Sequence, residues 1–91
     1  MPSHIHLVHC ITRYEVSNRG IGHTDQAAVD DFRRQFAEMY LHDGQSPEDR
    51  RDKLELMDAI AEELISTGGY AGDDDGNYVF HLETVQLPDA I

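Results

Sequence analysis

Ser46-Pro47-Glu48-Asp49 is the strongest local signal in this sequence, and the rest of the chain must fold around the helix it starts. A serine side chain satisfies free N–H groups at a helix start, and proline suits the first helical position. Acids in the first turn complement the helix dipole, and Asp49 stands at the capping-box position. The helix runs to about Thr67, where Gly68-Gly69 stops it. Another amphipathic stretch precedes it. Thr24 is the N-cap, Asp25 the first-turn acid, and Ala28, Val29, Phe32, Phe36 and Met39 recur at helical spacing, with Asp30, Asp31, Arg33, Arg34 and Glu38 in the other directions. Gly44 closes this first helix near His42 and Asp43. The short connection makes the two helices an antiparallel hairpin.

The flanking segments read as strands. His4 to Val16 is rich in β-branched and aromatic residues, with Ile5, Leu7 and Ile11 on one alternation register and Val8, Cys10, Tyr14 and Val16 on the other. Residues 17–23 then read as a loop containing Gly20 and Gly22. After the helices, Tyr70-Ala71 precedes a turn over residues 72–77, and Tyr78 to Leu87 alternates until Pro88 ends it. The expected fold is α+β, a single domain over residues 1–91. Its order is strand, helix, helix, strand, with a small antiparallel sheet of two or three strands packed on the helical hairpin. A first strand that is apolar on both registers wants cover on both faces. A homodimer would supply it, and the 17–23 loop with the C-terminal tail is the alternative.

Composition narrows the function classes. One cysteine forms no internal disulfide, and the apolar runs fall far short of the ~20 residues of a membrane span, so a cytoplasmic, membrane-free setting is expected. A formal net charge of −11 argues against direct nucleic-acid binding, which runs on clustered Lys and Arg. No cofactor and no enzymatic activity are expected. Gly20-Ile21-Gly22 lacks the third glycine of a dinucleotide loop, and Cys10 sits among apolar neighbours that make a thiol inert. The residues Asp73-Asp74-Asp75-Gly76-Asn77 begin like a calcium loop, but Tyr78 and Thr84 stand where its glycine and glutamate belong. His4, His6 and Cys10 share one strand face and offer imidazole and thiolate to a metal, without the paired spacings of a structural zinc site.

The charge is segregated as well as large. Residues 54–91 hold nine acids and no Lys or Arg, whereas residues 1–53 hold nine acids and all seven bases. On the second helix, Glu48, Asp52, Glu55, Asp58, Glu62 and Glu63 fall on one side and Leu54, Met57, Ile60, Ala61 and Leu64 on the other. The acidic stripe covers ~22 Å, with an axial spacing comparable to the phosphates of one DNA strand. Small acidic phage-encoded inhibitors of host defence complexes, anti-CRISPR proteins and other DNA mimics among them, are similar in size, charge and lack of a visible active site. That is a likeness of class, not of motif.

The leading expectation is therefore an inhibitory protein-interaction module that mimics nucleic-acid charge and binds the basic surface of a nucleic-acid-binding protein or complex. Glu55, Asp58, Glu62 and Glu63 make the main contact, and Asp73, Asp74 and Asp75 a second one. The alternatives are a metal-binding or regulatory domain using His4, His6 and Cys10, and a homodimeric structural subunit.

Overall fold

The computed structural model describes residues 4–72 and 78–87. Its elements run β1 (His4–Thr12), β2 (Val16–Gly22), α1 (Asp25–Tyr40), α2 (Pro47–Thr67), β3 (Gly69–Ala71) and β4 (Tyr78–Gln86). The four strands form one antiparallel sheet in the order β2-β1-β4-β3, so the class is α+β.

Three expectations about the sheet are corrected. The strand placed over His4 to Val16 is broken after Thr12, whose hydroxyl accepts from the Tyr14 and Glu15 N–H groups at 3.3 and 3.2 Å and turns the chain back. Beyond this turn the chain forms β2 in place of the loop expected over residues 17–23, and the sheet has four strands, not two or three. Gly20 and Gly22 serve closeness here. A Cβ on Gly20 would lie 2.5 Å from the Ala28 carbonyl oxygen, and one on Gly22 would lie 2.5 Å from the Ala28 nitrogen. Both glycines let the α1 backbone rest directly on β2.

Both helices begin where the sequence places them. The Thr24 side chain accepts from the Ala27 N–H at α1, and that of Ser46 accepts from the Asp49 N–H at α2. Gly68 ends α2 in the left-handed conformation, at φ 82°. α1 stops at Tyr40, short of Gly44, because the Gln45 amide donates to the Tyr40 carbonyl at 2.6 Å and its oxygen accepts from the His42 N–H at 3.0 Å. The helices run in opposite senses, with Lys53 over the Tyr40 ring and Asp58 beside Arg33.

The core lies between the helices and one face of the sheet. Val8, Cys10 and Phe80 from the strands meet Ala28, Val29, Phe32, Phe36, Ile60, Ala61 and Leu64 from the helices. Phe32 packs edge-on against Phe80 with ring centroids 5.4 Å apart. Leu54, expected on the buried side of α2, is 37% exposed, while Leu56 packs against the core. The buried residues of α2 all lie in its C-terminal half, and the N-terminal half is held by its cap and by partial contacts.

Candidate functional site

The acidic residues of α2 lie outside the packed face, as helical spacing demands. Glu48, Asp52, Glu55, Asp58, Glu62 and Glu63 are all exposed. They are not equivalent. Asp58 turns toward α1 and accepts from Arg33 Nη1 at 2.5 Å, so its charge is already balanced, and its repulsion with Glu62 one turn on is eased. Glu63 lies 3.4 Å from the Thr67 hydroxyl. Among the described residues Glu48, Asp52, Glu55 and Glu62 have no cationic partner. Over these four the helix advances ~21 Å. Arg51, also exposed, falls on the same flank by helical geometry, and is its one interruption. Asp73, Asp74 and Asp75 lie outside the described residues.

His4, His6 and Cys10 are not brought together. His6 and Cys10 share the helix-facing side of β1, but lie four residue steps apart along the strand, ~13 Å, whereas two ligands of one zinc ion sit within about 4 Å of each other. His6 is used elsewhere: its Nδ1 donates to the Asp25 carboxylate at 2.5 Å, pinning the first turn of α1 to β1. No three His, Cys, Asp or Glu side chains converge on a metal position among the described residues. Burial pushes the Cys10 thiol above its ordinary pKa, and the nearby Arg19 guanidinium opposes this without cancelling it. The thiol is thus protonated and unreactive at neutral pH.

Sequence reasoning missed a cleft. Between the sheet and the loop-side ends of the helices is an open, mostly apolar hollow of about 340 Å³. Cys10 and Thr12 of β1 and Phe80 and Tyr78 of β4 form its floor, and Phe36 and Tyr40 of α1 and Lys53, Leu56 and Ile60 of α2 form its walls. Arg19 reaches it through a β-bulge. β1 pairs Val8 with Gly20 and His9 with Asn18, leaving Arg19 as the extra residue on β2. Such a bulge re-aims a side chain, here toward the helices, where Arg19 Nη1 lies 3.0 Å from Met39 Sδ. A signal existed, since Phe36 and Tyr40 recur one turn apart. The bulge that adds a cation depends on pairing between distant segments.

The edge of β2 is fastened to α1 by Asp31, whose carboxylate accepts from the Ile21 N–H at 3.0 Å and from Arg34 and Gln35. Burial pushes this carboxyl up, but the three sets of donors outweigh it and hold it below the ordinary aspartate value. No helix among the described residues is long and apolar enough to cross a membrane. Comparisons with protein families, curated proteins and solved structures gave no match to this chain.

Proposed function

We propose that the chain is a small protein-interaction module that lays the outer face of α2 on the basic groove of a nucleic-acid-binding protein or complex and inhibits it by standing in for phosphates. One observation carries this reading: Glu48, Asp52, Glu55 and Glu62 are exposed on one flank without cationic partners among the described residues. An ordinary solvated helix face interleaves lysines, and α2 has no base after Lys53. Carboxylates spaced in this way steer association with a positive groove and compete with the polyanion it was built to hold. Asp58 contributes less than its neighbours, because docking would have to replace Arg33 as its partner.

The test is capture from a cell lysate with the wild-type protein and with the double variant Glu55→Lys/Glu62→Lys, with added duplex DNA or RNA as competitor. Recovery of nucleic-acid-binding proteins that the competitor displaces and the variant fails to retain supports the reading. Equal recovery by both proteins rejects it. Asp58→Lys is the wrong probe, since it would set a lysine against Arg33 and disturb helix packing. Affinity should also fall steeply with salt, because exposed charges are screened over ~8 Å at physiological ionic strength.

A further inference from the structure

We propose that the cleft between the sheet and the helical hairpin binds a small aromatic anion, with its ring system against Phe36, Tyr40 and Phe80 and its anionic group held by Arg19 and Lys53. The site is separate from the acidic flank of α2. Three observations lead to it. The first is shape: about 340 Å³ is within the range of small-molecule pockets, and the lining is chiefly apolar and aromatic, as such pockets are.

The second is charge. In a chain of net charge −11, two cations line one hollow, and among the described residues neither has a carboxylate partner. Arg33 and Arg34 are paired with acids, and Arg13, Arg50 and Arg51, which also lack a carboxylate partner among the described residues, are exposed, so what sets Arg19 and Lys53 apart is that both are half-buried and line the same hollow. Among the described residues the side-chain acceptors at Arg19 are sulfur atoms, the Met39 thioether at 3.0 Å and the Cys10 thiol, and thioethers and thiols are weak acceptors. Lys53 Nζ lies 5.8 Å from the centroid of the Tyr40 ring, a cation–π contact that leaves its donors available.

The third is placement. Arg19 occupies the unpaired position of a β-bulge, and bulges recur where a strand must aim a side chain at a site. A guanidinium on the sheet side and an ammonium on the helix side suit one anionic head, while the aromatic walls take the body of the ligand.

The probe pair is 8-anilinonaphthalene-1-sulfonate and its uncharged analogue N-phenyl-1-naphthylamine, titrated by fluorescence into the wild-type chain. The sulfonate should bind at least tenfold more tightly than the neutral probe. Arg19→Gln and Lys53→Gln should each weaken the sulfonate by about tenfold while sparing the neutral probe, as expected for loss of a charge-assisted contact. Leu56→Trp should fill the cleft and remove binding of both, with circular dichroism confirming that each variant is folded. Equal affinity for the two probes, unchanged sulfonate affinity in both charge variants, or no binding at millimolar probe would each overturn the proposal.

Discussion

On the helix side of the central strand pair, Val8 of β1 stands opposite Leu82 of β4, and Cys10 opposite Phe80. On the other side the same strands set Ile5 beside Val85, Leu7 beside Glu83, His9 beside His81 and Ile11 beside Val79. The first face is closed by two helices and has no buried polar or charged side chain among the described residues. Among the described residues the second has no helix over it. There Ile11, Val16, Ile21 and Val79 are between 36% and 63% exposed. A polar band crosses it, since His9 pairs with Asn18 on one side and His81 on the other, and His9 Nε2 donates to the Glu83 carboxylate at 2.8 Å. Within the single chain, apolar residues on both registers do not by themselves bring a helix to both faces. Cover comes where a neighbouring strand is small enough for a helix to approach, and here the small residues are Gly20 and Gly22.

If burial alone separates the two faces, the largest effect belongs to the ring at the centre of the closed one. Phe32 is 1% exposed and touches both Phe36 and Phe80, so Phe32→Ala should cost about 3–5 kcal/mol in urea unfolding. A loss below about 1 kcal/mol would mean that the helices are not closed on the sheet. Next comes the approach itself. Gly20→Ala adds a Cβ against backbone atoms at 2.5 and 3.0 Å, which no rotamer change relieves, and should destabilise by about 1–3 kcal/mol. An unchanged midpoint would show that α1 has room to move off β2.

These residues also show what a single sequence reveals. The starts of α1 and α2 and the end of α2 are legible because Thr24, Ser46, Pro47 and Gly68 act on groups within a few residues of themselves. β2 is not, because Ser17, Asn18, Gly20 and Gly22 have little strand propensity of their own. Pairing with β1 and the closeness of α1 make them a strand. The site residues divide in the same way. Exposure of the acidic flank of α2 comes from helical spacing, whereas the neutralisation of Asp58 by Arg33 joins residues 25 positions apart and arises only from how the helices meet. Arg19 and Lys53 read as ordinary surface cations until the bulge and the hairpin bring them to one hollow.

The open face supplies the sharpest counter-test. Ile11→Ser and Val79→Ser together should lower stability by about 1–2 kcal/mol, well short of Phe32→Ala, because both side chains are already more than a third exposed in the folded chain. A loss comparable to Phe32→Ala, with a midpoint that rises with protein concentration, would show that a second copy covers this face and that the two faces differ less than the single chain implies.

The smallest effect concerns the fastening at the rim of the closed face. Asp31 joins the β2 backbone at Ile21 to α1, and its carboxyl is held below the ordinary aspartate value in the folded chain. A carboxyl more acidic when folded than unfolded contributes stability that is full above the unfolded value, about pH 4, and is lost as pH falls through the lower folded one. Asp31→Asn should therefore cost about 1 kcal/mol near pH 7, since the exposed Arg34 partner limits the gain, and progressively less below about pH 4. Urea unfolding of both proteins across that range reads the difference directly. A gap that stays constant down to pH 2 would mean that the charge of Asp31 does not fasten β2 to α1, and that the glycine contact alone keeps this face closed.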